Sequence, residues 1–312
     1  MKHKNFWFVA GLAVGALGLV LVRRYRKGRA ETLAWQQQQQ LTLDVLACPV
    51  CHRGLKLQQV PTGLEPPAEN TDPGRSVLHC DTCKKDYPIV EGIPHFIEPR
   101  ALSGMNQRFA RMYDWFSWGY RAFSKVAFAY IGMTEEQARR EVTDRLDPMG
   151  GRVLEVSIGP GVNLPYLVGR LDVGELFGLD ISLGQLRRCQ DFVAHKGWHV
   201  QLHLGNAEKL PYPDNAFDGV FHIGGINFFN DKKKAIAEMI RVAKPGTRIL
   251  ICDENEKGAQ AYERFLPSFK RTAGRMREAV VAPVALVPSE IQELRVFDVW
   301  NSWMYCIEFR KP

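Results

Sequence analysis

Hydrophobic positions fall into three regimes along the chain. The first is a continuous apolar run, FWFVAGLAVGALGLVLV, from Phe6 to Val22. At a rise of about 1.5 Å per residue it would span roughly 25 Å as a helix, near the lower limit for crossing a hydrocarbon core. The second, residues 105–148, reads as helical and holds the aromatic stretch RFARMYDWFSWGYRAF. The third starts at Gly151, where short apolar strands alternate with helical patterns. That alternation predicts an α/β fold with a mainly parallel sheet. RVLEVS is the first strand, GELFGLDIS holds the second, WHVQLHLGNA the third, DGVFHIG the fourth and TRILICDEN the fifth. The helix before the fifth starts near Asn230–Asp231, repeats apolar residues at Ala235, Ile236, Met239, Ile240 and Ala243, and stops at Pro245–Gly246. LRVFDVW and WMYCIEF, separated by Asn301–Ser302, predict an antiparallel hairpin. Seven strands result, the last reversed.

The pattern divides the chain into an N-terminal anchor with a basic flank (1–29), a polar linker with a glutamine run (30–43), a cysteine-bearing module (44–98) and a larger domain (105–312). The larger domain comprises aromatic-bearing helices over 105–148 and an α/β core over 149–312. A length of 312 residues, with 46% apolar and 24% charged residues, is ordinary for a globular protein of about two domains. The net charge of +7 is local: Lys2, Lys4, Arg23, Arg24, Arg26, Lys27 and Arg29 carry it before the first acid, Glu31. The body is near neutral and has no global attraction for phosphate backbones, which disfavours nucleic acid as a partner. RRYRKGR stands where a signal peptide would need small residues for cleavage, so Phe6–Val22 reads as an uncleaved single-pass anchor. Five positive residues follow it and two precede it, which predicts a body on the cytoplasmic side. Gly11 and Gly15 form a GxxxG, an arrangement common in membrane helices.

VLEVSIGPG, Val153 to Gly161, ends a strand in an acid and two glycines. Such loops let a ligand approach the backbone closely at a helix start. Gly159-Pro-Gly161-Val-Asn163-Leu164 lacks the third glycine of a dinucleotide site and the Gly-Lys-Ser/Thr of a P-loop. The stretch resembles the first motif of class I S-adenosylmethionine-dependent methyltransferases, acid-x-Gly-x-Gly-x-Gly, from Glu155 to Gly161 with Ser157 in the first glycine position. Three further stretches resemble that family in order: GLDIS with Asp180, GNAEKLPYPDNAFDGVF with Asn206 and Ala207, and RVAKPGTRILI. The resemblance covers residues 105–312 and implies lid helices over 105–148 on a Rossmann-like core over 149–312. It implies S-adenosylmethionine as cofactor, Asp180 on the ribose hydroxyls and Asn206–Ala207 on the adenine edge. Asn163 is placed to cap the following helix, and Ser157 to turn its hydroxymethyl aside or bond to backbone.

The aromatic helix containing FARMYDWFS is similar to one in the ubiquinone/menaquinone-biosynthesis-like branch, where it folds over the cofactor. Tyr113 and Asp114 are its candidate residues, with simple packing of an apolar lid as the alternative. His222 and Asn227 after the fourth strand, and Asp253 and Glu254 after the fifth, would face the cofactor or its methyl group. His222 reads equally as a packed residue, and no catalytic residue is named.

Cys48-x-x-Cys51 and Cys80-x-x-Cys83 form two CxxC pairs with 28 residues between them. The separation exceeds the zinc-ribbon norm of roughly 15–20 residues, an excess accounted for by the loop PTGLEPPAENTDPGRS. Four thiolates suit a closed tetrahedral zinc site, whereas the expected compartment opposes disulfides. His52 and His79 read as bystanders, and Cys189, Cys252 and Cys306 as core residues. The wording LACPVC…LHCDTCKKDYPIVEGIPHFI resembles a small zinc-ribbon family whose free-standing members activate tRNA, rRNA and protein methyltransferases. Three functions follow as expectations. One is a membrane-anchored methyltransferase acting on a small lipophilic acceptor such as a quinone, phenol or lipid precursor. The others are an RNA or protein methyltransferase, and a non-catalytic scaffold.

Overall fold

The computed structural model describes residues 41–59, 76–116, 120–265 and 280–312. The predicted anchor and nearly all of the linker lie outside these residues, as does the insertion between the CxxC pairs. Among the described residues no helix is long and apolar enough to cross a membrane.

The cysteine module is a four-stranded antiparallel sheet of Lys56–Gln59 (β1), Ser76–Cys80 (β2), Lys85–Val90 (β3) and Ile93–Pro94 (β4), in that order. Gln59 pairs with Ser76, so the long insertion closes a hairpin without breaking its register. That fits the slow growth of closure cost with loop length. Three helices follow: Gly104–Phe116 (α1), Tyr120–Tyr130 (α2) and Glu135–Thr143 (α3). A capping box starts α3, with Thr134 Oγ1 accepting from the Gln137 amide and Gln137 Oε1 from the Thr134 amide.

The large sheet holds Gly151–Val156 (β5), Val173–Asp180 (β6), Val200–Leu204 (β7), Gly219–Ile223 (β8), Arg248–Glu254 (β9), Gln292–Val299 (β10) and Met304–Arg310 (β11). Leu183–Lys196 (α4), Lys232–Val242 (α5) and Glu256–Phe265 (α6) connect or flank them. The strand order is β10-β11-β9-β8-β5-β6-β7, with β5 to β9 parallel and β11 antiparallel to β9. The seven predicted strands and the reversed last strand are therefore present. The chain winds outward from β5 to β7 and then returns to β8 on the other side of β5. In open α/β sheets a ligand crevice opens at such a reversal.

Two local expectations change. No α-helix follows the glycine loop; a single 3₁₀ turn, Leu164–Tyr166, does. Too few residues separate the loop from β6 for a helix of ordinary length. The terminal hairpin turns over four residues, Trp300 to Trp303, because Trp300 leaves the strand and its indole Nε1 donates to Ala138 O at 2.7 Å.

Module and large domain share one core. His95 bridges Leu204 in parallel, Phe96 N donates to Leu204 O at 2.8 Å, and Ala47 N donates to Pro211 O at 2.9 Å. Leu46, Leu78, Tyr87 and Phe96 lie in the same buried cluster as Leu154, Phe177, Tyr212 and Phe217. At the seam the buried His203 pairs with the Tyr212 hydroxyl at 2.9 Å. The module thus covers the open edge of β7, where unpaired strand groups would otherwise face solvent.

Candidate active site

The loop after β5 is built from left-handed backbone. Ser157 has φ 61°, Gly159 φ 55° and Gly161 φ 72°. Ser157 therefore occupies a conformation that favours glycine, at a strain of about 1 kcal/mol. Gly161 is fixed by crowding as well: a Cβ there would lie 2.7 Å from Cys189 Sγ and 2.8 Å from Leu164 Cδ1. A Cβ on Gly159 would meet nothing within 4 Å. Asp180, at the end of β6, secures the loop by accepting from Gly159 N at 2.8 Å through Oδ2, and from Ser182 N at 2.8 Å through Oδ1.

A cavity of about 540 Å³ opens above this loop. Of the residues named from sequence, Tyr113, Glu155, Ser157, Gly159, Asn163, Asp180, Asn206 and Ala207 all line it. Gly161 does not, and neither does His222. His222 is fully buried, its Nδ1–H donates to Val156 O at 2.9 Å, and its Nε2 accepts from Ile226 N at 3.0 Å. Burial holds its pKa down, so it is a neutral strut between β5 and β8 with neither nitrogen left to shuttle a proton. Asn163 does not cap a helix; its Nδ2 donates to Glu155 Oε1 at 2.6 Å. Asn206 Oδ1 closes its own turn by accepting from Glu208 N at 2.9 Å. Asp253 is buried and spent on the amides of Asn227 (2.7 Å) and Glu254 (2.8 Å). Asn227, away from the cavity wall, holds Glu254 O through Nδ2 at 2.8 Å, whereas Glu254 itself lines the cavity.

Four polar atoms buried in the cavity wall have no hydrogen-bond partner: Glu155 Oε2, Asn163 Oδ1, Gln185 Oε1 and Arg139 Nε. Burial raises the Glu155 carboxyl to about 8, against the lowering effects of Asn163 and Arg139. Burial likewise raises Asp180 to about 6, although the Ser182 and Gly159 amides pull it down. The Arg139 guanidinium lies 5.0 Å from the Phe128 ring centre and 5.1 Å from that of Trp300, and its Nη2 donates to Ser124 Oγ at 3.2 Å. Three orphan acceptors and one orphan cationic donor match a zwitterion, such as the α-ammonium and α-carboxylate of an amino-acid terminus. Sequence reasoning missed Arg139 and Gln185. Both sit in ordinary amphipathic helices, and the one available signal, a charged residue on the buried face of α3, emerges only when the face is known.

The lid helix α1 supplies Phe109, Met112 and Tyr113 to the wall, and Phe109 stacks on Phe228 at 4.1 Å. It is clasped at both ends. Asn230 Oδ1 accepts from Met105 N at 2.8 Å, while Asn230 Nδ2 donates to Ser103 O at 3.0 Å. At the other end Asp114 Oδ1 accepts from Ser182 Oγ at 2.6 Å and Gly184 N at 2.7 Å, an acid on the N-terminus of α4. Asp114 thus fastens the lid and does not line the cavity.

Away from the cavity, the ligand atoms of Cys48, Cys51, Cys80 and Cys83 lie within 4.8 Å of one another, and all seven cysteines are free thiols. Zn–S bonds of about 2.3 Å would set S–S edges of roughly 3.8 Å, so the cluster fits a tetrahedral ion. The two knuckles match: His52 (φ 57°) and Lys84 (φ 52°) each turn back so that their amides donate at 2.8 Å to Cys48 O and Cys80 O. Burial pushes the Cys48 thiol up, but the Tyr87 hydroxyl and backbone amides outweigh it, bringing it down to about 7. His52 and His79 stand outside the cluster, and His79 pairs with Asp86 at 2.6 Å. Cys189, Cys252 and Cys306 are buried.

Residues 154–251 match the methyltransferase domain family, and residues 39–92 match the Trm112p-like protein family. A phosphatidylethanolamine N-methyltransferase of Cereibacter sphaeroides is 29% identical over 180 residues, 56% of this chain and 87% of that protein. A ubiquinone/menaquinone biosynthesis C-methyltransferase UbiE of Burkholderia mallei is 38% identical over 105 residues, 33% of this chain and 43% of that protein. The chain thus spans less than half the length of that second relative. A structure of a SAM-dependent methyltransferase from Aquifex aeolicus aligns at a TM-score of 0.39 with 21% identity, covering 59% of this chain and 98% of that one.

Two outcomes follow from the loop and the orphan atoms. Ser157→Gly is expected to stabilise the protein against urea by about 1 kcal/mol by removing the left-handed strain; a midpoint that falls would contradict the strain. S-adenosylmethionine is expected to bind more tightly as pH rises from about 6 to about 8, with release of a proton. Without ligand, Glu155 stays protonated until near 8, and an ammonium ligand makes it ionise. Calorimetry in buffers of differing ionisation enthalpy reads the proton, and Glu155→Gln is expected to abolish both the release and the pH dependence.

Proposed function

We propose that this chain, an S-adenosylmethionine-dependent methyltransferase joining a Trm112p-like module to a methyltransferase domain, is tethered to a membrane by Phe6–Val22 and methylates a small lipophilic acceptor. The observation that carries the reading is the composition of the cavity. Its wall carries the glycine loop, Asp180 and the orphan polar atoms, together with Phe228, Phe229, Tyr130, Trp303 and Met304. The polar groups suit the cofactor. Asp180 would accept from the ribose hydroxyls, Asn206 and Ala207 would border the adenine, and Arg139 would meet the carboxylate. Bound there, the cofactor supplies an electrophilic methyl group, and the chain's own task is to align an acceptor and keep water away.

The aromatic and apolar wall residues suit a quinone, phenol or lipid precursor, in keeping with the relatives named for lipid and quinone methylation. A tether would raise the effective concentration of a membrane-dissolved acceptor. The basic residues after the apolar segment favour a cytoplasmic catalytic domain, where reduced thiols would hold one structural zinc through Cys48, Cys51, Cys80 and Cys83. Methyl transfer to RNA or protein is the second reading, motivated by the Trm112p-like module.

Membranes containing the full chain, supplied with methyl-labelled cofactor and extracted with organic solvent, are expected to yield label in the organic phase. Label confined to RNA or protein would instead establish the second reading. Elemental analysis is expected to find about one zinc per chain, and a folded, metal-free protein would remove the metal from the account.

A further inference from the structure

We infer that Glu208 is a positioning residue that latches the lid helix α1 over the cofactor, coupling closure of the lid to seating of the adenine. This rests on the adenine lying beside Asn206 and Ala207. Glu208 follows them in the turn after β7, just behind the cavity wall. The turn that carries it is a fixed post. Its start is held through Leu204 O by Phe96 N, and its end through Pro211 O by Ala47 N. Leu210 N donates to Glu238 Oε2 of α5 at 2.7 Å, and Arg241 of the same helix donates to Leu210 O at 3.1 Å and Tyr212 O at 2.8 Å. Inside the turn, Asn206 Oδ1 takes the Glu208 amide and Asn206 O takes the Lys209 amide, each at 2.9 Å.

From this post the Glu208 side chain reaches the lid. Its Oε1 accepts from Asn106 Nδ2 of α1 at 2.9 Å and from the amide of Asp231, the N-cap of α5, at 3.1 Å. One carboxylate oxygen thus joins the turn after β7, the start of the lid and the loop after β8. Asn106 is 5% exposed, and its Oδ1 accepts from Asn230 N at 3.3 Å. The approach here is close. A Cβ on Gly104, at φ 61°, would lie 2.6 Å from Asn230 Oδ1.

Asn106, Phe109 and Tyr113 stand at i, i+3 and i+7 on α1, which puts them on one helix face, and all three line the cavity. The Asn230 side chain binds backbone and fixes where the helix begins. Glu208 binds a side chain of the inner face and so fixes which way that face looks, and with it the aim of the Phe109 and Tyr113 rings. A hydrogen bond to a carboxylate is stronger than one between neutral groups, the more so where little water competes. Adenine bound against Asn206 and Ala207 would hold the turn that presents Glu208. By linkage, a latched lid tightens cofactor binding by the same factor by which the cofactor favours latching.

The test uses the full chain with S-adenosylhomocysteine, read by calorimetry and by backbone hydrogen exchange with and without that ligand. Glu208→Ala is expected to weaken binding by about tenfold or more. Exchange over residues 105–116 is expected to rise while strands β5 to β9 keep the parent's protection. Glu208→Gln, which keeps an acceptor oxygen, is expected to fall between parent and Glu208→Ala. Asn106→Ala is expected to lose about as much as Glu208→Ala, and the double variant no more than either. Unchanged affinity in Glu208→Ala, additive losses in the double variant, or exchange that rises equally through the sheet each overturns the latch. Should Glu208→Ala fail to fold, Asn106→Asp is read in its place. It sets two carboxylates against each other and is expected to raise exchange in the lid; exchange at the parent's rate overturns the latch. No binding by the parent overturns the placement of the cofactor instead, and exchange over 105–116 in the ligand-free variants then decides the latch by itself.

Discussion

A carboxyl group buried against an apolar sheet, with one oxygen left unpaired, is the constraint around which the active face is arranged. Glu155 is 2% exposed, and burying an unpaired polar group costs free energy. The surrounding groups limit that cost without removing it. Asn163 gives it one bond, and Arg139 lies near enough for its charge to matter. Both neighbours keep an unpartnered atom of their own. A polar set of this kind is poorly solved by the protein alone and well solved by a zwitterion. Ligand and fold are then mutually stabilising, because binding pairs groups that folding had already stripped of water.

The same economy governs the joint between the module and the sheet. From Cys48 a run of direct contacts passes through the Tyr87 hydroxyl, the Phe96 ring at 5.2 Å, and His203 at 6.1 Å to Tyr212. The loop from Gly205 to Pro211, which borders the cavity through Asn206 and Ala207, is held at both ends by amides of the module, Phe96 N on Leu204 O and Ala47 N on Pro211 O. The thiol cluster is therefore structurally continuous with the cofactor cavity despite lying outside it.

Much of this was legible in the sequence because it is local. Strand periodicity gave all seven strands, the alternation gave their parallel sense, and the spacing of acid and glycines located the loop, while the family resemblance pointed to Tyr113, Asp180, Asn206 and Ala207, which line the cavity with it. What could not be read depends on partners distant in sequence. Asn163 looked like a helix cap, yet its amide turns back eight residues to Glu155. Histidine 222 looked like a site residue, but its environment is two backbone groups brought together by strand pairing. Arg139 carries no motif at all; only the packing of α3 against Trp300 and Phe128 turns an ordinary helical arginine inward. Ser157 was read as tolerated for its side chain, whereas the tension lies in its backbone.

The helix that roofs the cavity is tied down at its start by Asn230 and at its end by Asp114, whose partners Ser182 and Gly184 directly follow the strand that carries Asp180. Lifting it means breaking charge-assisted bonds at one end or amide bonds at the other before the spent cofactor sheds its cover. A ligand leaving past this roof would have to break those bonds first, so the grip on the helix and the grip on the strand end that carries Asp180 are the same set of contacts.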